Sequence, residues 1–526
     1  MSSHQDFRLQ ISDCRFVRRP RSICNLQSAI CILLLLLLTS CGQRPDPNTV
    51  VMVIEASPAN LDPRIGTDAY SERIDELIFD ALLTRNDRFD VQPGLAERWE
   101  TPDPRTYVFH LRRGVRFHDG RPLTARDVKW TFDSMLNGTV RTPKLSAYRY
   151  VASIEAPDDA TVIFHMKEPD AMLPWNVSEG ASGIVPYGSG PEFSRHPIGS
   201  GPFRFVSLQL DKEVVLERND DYWGAKPKIA RVRFAIVPDF TTEALELRKG
   251  SADIALNSLT PDTVLALAHD PSLVIERAPG SIYNYLAFNL TDPILKDARV
   301  RQAIACAIDR QQLVQYLWRD MARAAASPLP PESWAYDAGI PTWNHDPARA
   351  RQLLDQAGYR AVNGVRFHLV YKTSTLEVPR LQAAIFQQQL REVGIVVDIR
   401  TLEFGTFYSD VLKGAFQMYS LRWIGGNEAP DIFDVFYSAN IPPRGANRGR
   451  YANPQVDALV EAGRRETDEA KRKQIYVQIQ QIVGEELPYV SILYLDNVMV
   501  HSRRVRNLHL DPSGTYNFLK TAELAP

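Results

Sequence analysis

From Gly94 to Asp133 the chain reads GLAERWETPDPRTYVFHLRRGVRFHDGRPLTARDVKWTFD, and the order of its signals leaves few folds open. Tyr107, Phe109 and Leu111 alternate with Val108, His110 and Arg112, the two-residue period of a half-buried strand. Val115 and Phe117 take the pattern up again after Arg113-Gly114, so the spacing predicts a twisted hairpin. Asp119-Gly120 is a turn pair. Thr124 with Asp127 three residues on reads as a capping box that opens a helix, with Val128, Phe132 and Met135 on one face.

This order of residues resembles the most characteristic block of the family 5 extracellular solute-binding proteins, the peptide- and nickel-binding components of ABC import systems. The Leu95-Ala96-Glu97 and Trp99 lead-in, the FHLRRGVRFHDG hairpin and the TARDV helix start stand in the family's order and spacing. The resemblance implies an α/β, bilobal periplasmic-binding-protein fold (class II, the large three-domain variety) with hinge-connected lobes. Its domain plan is a lipoprotein signal peptide at 1–40, a tether at 41–49 and first-lobe core at 50–86. An inserted first-lobe subdomain at 87–195, first-lobe core at 196–283, the second lobe at 284–494 and a return to the first lobe at 495–526 complete it. The implied mechanism is hinge closure about strands that cross near 283 and 494, trapping a solute for a membrane permease and its ATPase subunits. The resemblance implies a monomer without cofactor or catalytic role.

Composition bounds the alternatives. A chain of 526 residues allows two to four domains at about 150 residues each. With net charge −2 and no long single-sign run, nothing in the sequence points to a nucleic-acid partner. Cys14, Cys24, Cys31 and Cys41 crowd the start, and only Cys306 lies beyond them, so a mature intrachain disulfide is not expected. Cys306 sits in the Ala-rich run RQAIACAIDR without a local activating partner, the pattern of a buried inert thiol.

Arg15, Arg18, Arg19 and Arg21 precede an uncharged apolar run from Ala29 to Leu38, far shorter than the ~20 residues of a spanning helix. It reads as a signal h-region behind an n-region long enough to suit a later start site. Leu38-Thr39-Ser40-Cys41 looks like a bacterial lipobox, which would make Cys41 the lipidated mature N-terminus. Gln43 to Asn48 is then a polar tether, holding the protein in the periplasm or at the cell surface, anchored to a membrane.

Further along, Val50–Ile54 reads as a strand and Ile74–Leu83 as a helix, with a second strand pair near Thr161–Met166. PANLDPRIGTDAY resembles the family's opening, where Leu61-Asp62-Pro63 lies near the cleft. Gly199 and Gly201 read as turn glycines rather than a phosphate cradle, because no Lys-Ser/Thr or third glycine follows. Thr241–Lys249 is an amphipathic helix ended by Gly250, with Ala244, Leu245 and Leu247 inward. Asn344–Gly358 is a helix capped by Asp346, with Pro347 in its first turn, and Glu469–Glu485 carries apolar residues at helical spacing.

A cleft that binds an extended peptide needs main-chain partners, aromatic walls and a few charges for the termini. The best local match is Tyr419 to Asn427, YSLRWIGGN. In the family the tryptophan equivalent to Trp423 lies at the cleft, and peptide-binding members carry an aspartate three residues later for the α-amine. Here that position is Gly426, next to Asn427, and the lost charge-assisted bond is worth about 1.5–3 kcal/mol. Glu428 or Asp431 could compensate. Arg422 could grip a carboxylate bidentately or sit in an ordinary salt bridge. Tyr283, Asn284 and Tyr285 on the crossing strand would line the cleft or pack the hinge, and Asn447 with Arg448 could stand at its mouth.

The ligand is thus expected to be a peptide-like solute; a nickel chelate, a sugar or another small solute is the alternative within the same role. A tethered chaperone lipoprotein would use the same groove for unfolded segments. Hydrolase signatures such as Gly-x-Ser-x-Gly, His-Glu-x-x-His and Cys-x-x-Cys do not occur, and no metal site is predicted.

Overall fold

The computed structural model describes residues 47–178, 182–424 and 430–525. Cys41, Gly426, Asn427 and Glu428 therefore lie outside the described residues. No helix among those described is long and apolar enough to cross a membrane.

Two long antiparallel strands, Leu273–Phe288 and Tyr489–Ser502, run through the middle of an 11-stranded sheet. They pair from Leu273↔Ser502 to Ala287↔Tyr489, so each belongs to both halves of the sheet. At one end Ile254↔His501 hands the sheet to Ile254–Leu256, Thr49–Ile54, Arg231–Ile236, Glu213–Arg218 and Phe203–Gln209. At the other, Tyr283↔Trp423 hands it to Met418–Trp423, Phe367–Ser374 and Ile395–Leu402. The two lobes are thus joined through a shared, continuous sheet. The register between the long strands slips between Ala278 and Ile282, the local twist and bend of a bulge. Gly280 lies there because a Cβ would stand 2.3 Å from the Leu495 carbonyl oxygen.

Strand alternation builds a core on each face. Val50, Met52 and Ile54 join Phe203, Val214 and Phe234, while Val51 and Val53 meet Ala244 and Leu247 on the opposite face. In the other lobe Ile282, Leu286 and Phe288 pack with Ile304, Leu354 and Phe386, and Tyr283, Tyr285 and Ala287 with Tyr419, Phe436 and Tyr489. The flanking helices begin where the sequence marks them: Asp239 accepts from the Thr242 N–H, Asp346 from Arg349 and Asp468 from Lys471. Gly250 and Gly358 take left-handed conformations just past two of them. Two readings in these lobes need correction. The first helix spans Ala69–Ile78, capped by Asp68, and Leu83 already belongs to a strand. Leu245 is exposed, since its neighbours Ala244 and Leu247 take the buried stripe.

The block that opened the sequence reading forms a separate four-stranded antiparallel sheet, in the order Ala96–Asp103, Thr106–Leu111, Thr161–Met166, Val151–Asp158. Helix Ala125–Leu136 covers it behind the expected capping box, its Phe132 edge-on to Phe164 at 5.3 Å. The hairpin from 107–111 into 115–117 does not form. Thr106–Leu111 already has a partner on each edge, so no ladder position remains. Val115 and Phe117 instead plug the core from a loop turned by Gly114 and Gly120, both with positive φ.

That loop is fastened by His118. Its backbone N–H donates to the Gly199 carbonyl at 2.8 Å, its Nδ1 accepts from the Gly199 N–H at 3.2 Å and its Nε2–H donates to the Gly201 carbonyl at 3.0 Å. Gly199 and Gly201 are needed for close approach rather than for a left-handed turn: a Cβ on Gly199 would fall 1.8 Å from the Ile78 carbonyl oxygen. Burial, the dominant cause, pushes the His118 pKa down to about 4.

Gly280→Ala should lower unfolding stability by on the order of 1–3 kcal/mol through its collision with the second long strand, read as a shifted urea midpoint at unchanged slope. For His118 the sign follows from a folded pKa below the unfolded value near 6.5. Its contribution is complete above about pH 6.5 and fades as pH falls toward 4, at most about 3 kcal/mol. Urea unfolding across that window should lose less stability in His118→Gln than in the wild type.

Candidate ligand-binding site

The pairing Tyr283↔Trp423, Asn284↔Arg422, Tyr285↔Leu421 decides which predicted site residues share a face. Opposed residues in an antiparallel pair project to the same side, so Tyr283, Tyr285 and Trp423 fall on one face. Asn284 and Arg422 fall on the other. The site candidates drawn from this stretch therefore form two groups, both at the carboxyl end of Met418–Trp423, where open α/β sheets receive ligands.

On the first face Tyr285 stacks on Tyr489 at 4.3 Å, with Trp423 at 6.5 Å and Tyr419 edge-on at 6.2 Å. Arg448 enters this aromatic group from its loop. Its guanidinium donates to the Tyr285 hydroxyl at 3.3 Å and the Tyr408 hydroxyl at 3.1 Å, and lies 4.9 Å from the Trp423 ring centroid. Burial raises the pKa of Tyr285, Tyr419 and Tyr489, so all three hydroxyls keep their protons. Tyr283 is committed elsewhere, sharing a 2.7 Å hydrogen bond with Ser491 between the long strands.

On the second face Arg422 lies 5.6 Å from the Trp318 ring centroid and has no carboxylate within 4.0 Å among the described residues. Its side chain is exposed, yet burial lowers its pKa, opposed by attraction to Glu55. Glu55 follows Ile54 at the carboxyl end of a first-lobe strand and accepts from the Tyr70 hydroxyl at 2.6 Å. The Asn284 amide donates to the Leu421 carbonyl at 3.4 Å, and its buried oxygen has no hydrogen-bond partner among the described residues. Asp62 is unavailable to a ligand: it and Arg64 form a fully buried ion pair at 2.7 Å.

Asn447 is a loop-former. Its amide donates to the carbonyls of Tyr437 and Tyr451, and its oxygen accepts from the Tyr451 N–H at 3.0 Å. This holds neighbouring Arg448 at the aromatic group. Tyr408, Tyr489 and Glu55 escaped the sequence reading, because each lies in a different segment and carries no motif of its own.

The segment that carries the four-stranded sheet also meets helices Pro454–Arg465 and Glu469–Glu486. The Ala171 N–H donates to the Arg464 carbonyl at 2.9 Å, Arg472 to the Ala171 carbonyl at 3.1 Å, and Arg464 to the Tyr150 hydroxyl at 3.3 Å while pairing with Asp434. A cavity of about 340 Å³ lies alongside, lined by Arg149, Glu168, Tyr437 and Glu461 among others.

Comparison with known proteins agrees with this architecture. The family model described as bacterial extracellular solute-binding proteins, family 5 Middle, matches residues 90–441. Di/tripeptide-binding protein 4 of Pseudomonas aeruginosa (strain UCBPP-PA14) is 31% identical, over 93% of this chain and 97% of its own. Among solved structures, the oligopeptide-binding protein AppA from Bacillus subtilis, in complex with a nonapeptide, is 26% identical with TM-score 0.76, covering 91% of this chain and 99% of that one. NikZ from Campylobacter jejuni, in complex with Ni(L-His), is 25% identical with TM-score 0.78 over the same shares.

Asn447→Ala should cost on the order of 2–3 kcal/mol in unfolding stability, because buried carbonyls lose their donor. Arg422→Ala should stay within about 0.5 kcal/mol of the wild type. Equal losses in chemical denaturation would contradict the different roles assigned to the two side chains.

Proposed function

Since the chain belongs to family 5 of the bacterial extracellular solute-binding proteins, we propose that it captures a peptide-like solute between its lobes and delivers it to the permease of an ABC import system. The observation that carries this reading is the pair of arginines without carboxylate partners among the described residues, set with Trp423 where the crossing strands enter the second lobe. Charged termini and aromatic walls suit an extended peptide, and di/tripeptide-binding and nonapeptide-bound relatives support the class. Trp423, Arg422 and Arg448 are the proposed direct contacts, with Gly426 and Asn427, which follow Trp423 in sequence outside the described residues, as further candidates. Tyr283, Asn284, Tyr285 and Asn447 hold them in position.

Closure follows from binding energy: a solute that touches both lobes favours the closed arrangement by its extra contacts there. The proposed domain limits are first-lobe core at 50–86, 196–283 and 495–526, an inserted subdomain at 87–195 and a second lobe at 284–494. Lipid on Cys41 would keep the protein beside its permease in the periplasm or at the cell surface, and a monomer meets that role without a catalytic step. A nickel chelate is the second reading, favoured by the likeness to the Ni(L-His)-bound NikZ. It would arrive with its own ligands, since the described residues hold no group of three metal-ligating side chains.

Thermal unfolding of the protein from Gly42, stripped of carried solute, should show protection by di-, tri- or longer peptides, about 2.7 kcal/mol at a hundred times Kd. Trp423→Ala should abolish that protection. Protection by nickel with histidine and by no peptide would transfer the role to the second reading. In cells, Cys41→Ser should move the protein from the membrane pellet to the soluble fraction; retention in the pellet would remove the lipid anchor from the account.

A further inference from the structure

The donors around Arg448 outnumber what the protein offers them. The Arg448 Nε and the Trp423 Nε1 are buried without a hydrogen-bond partner among the described residues, and the buried hydroxyls of Tyr419 and Tyr489 have no partner there other than the Tyr285 hydroxyl. Tyr419 is fully buried and Tyr489 nearly so. The remaining Arg448 donors reach only neutral tyrosine hydroxyls, and no carboxylate stands within 4.0 Å of its guanidinium among the described residues. A buried cation among unpaired N–H and O–H groups is costly to leave empty. The complement to such a cluster is a group that accepts only and carries negative charge.

We propose that Arg448, Trp423, Tyr419 and Tyr489 form a subsite that receives a carboxylate of the captured solute. The proposal deepens the solute-capture reading and rests on it. Arg448, half-buried as a residue, supplies the charge. The Tyr285–Tyr489 stack and the Asn447 loop fix its position. For a peptide the group is the C-terminal carboxylate; for another solute it is whichever carboxylate can reach the aromatic group. Arg422, on the opposite face of the sheet, is a separate contact and cannot take over this role.

The test measures, by calorimetry, the binding of one di- or tripeptide as free acid and as C-terminal amide, to the wild type and to Arg448→Gln. The wild type should bind the amide on the order of 10–100-fold more weakly, the loss of a charge-assisted pair. Arg448→Gln should lose the same factor for the acid and nothing further for the amide. If Arg448→Gln does not fold, Tyr489→Phe keeps the ring and should narrow the acid-to-amide ratio several-fold. Equal wild-type binding of acid and amide, which a carboxylate supplied by the chain itself would produce, overturns the proposal. Should neither peptide form bind, the peptide reading fails and thermal unfolding with acetate and succinate decides. Protection seen in the wild type and absent from the variant upholds the subsite; no protection in either overturns it.

Discussion

The antiparallel pairing of Leu273–Phe288 with Tyr489–Ser502 is the constraint on which the rest of the structure depends. A strand that donates and accepts along both edges cannot drift, so the two lobes are indexed to one another through main-chain bonds. The register slips twice, beside Gly280 and again between Asn284 and Tyr285. These slips allow bend and twist where the chain passes between lobes. Rigid halves joined at a soft point suit a protein that works by closing.

The same pairing builds the candidate site. Because the first long strand takes Met418–Trp423 as its neighbour in the second lobe, Trp423 and Arg422 arrive beside the crossing, on opposite faces. Each arginine lies against an aromatic ring and neither has a carboxylate within reach among the described residues. Contrast Arg64, fully buried but closed by Asp62. Arg301 is also buried with neutral partners, but these are backbone carbonyls that bind it into the fold, whereas Arg448 meets only tyrosine hydroxyls and aromatic rings.

Local signals in the sequence were sound where the physics is local. Asp346 caps its helix as its spacing requires, and the Thr124–Asp127 box opens its helix. Two local readings failed, the bounds of the Ala69–Ile78 helix and the facing of Leu245; the other misread elements are decided by partners distant in sequence. Val115 and Phe117 alternate like a strand, but the ladder they would join is filled by Ala96–Asp103 and Thr161–Met166. Gly199 and Gly201 look like turn residues, and only the fold brings them against Ile78. Among the candidate site residues, Trp423 follows from the family's order of residues and Arg448 from the GANRGRY segment. Tyr408 and Tyr489 were not, because their role exists only once segments far apart in the chain converge on one guanidinium. The opposite facing of Arg422 and Trp423, by contrast, follows from strand alternation alone.

The central claim is that solute binding closes the lobes about the two long strands. Small-angle X-ray scattering of the stripped protein, before and after addition of a peptide shown to bind, tests it without assuming which side chains make contact. The account predicts a smaller radius of gyration in the bound sample, with secondary structure unchanged by circular dichroism. A peptide that binds tightly and leaves the scattering curve unaltered would contradict it.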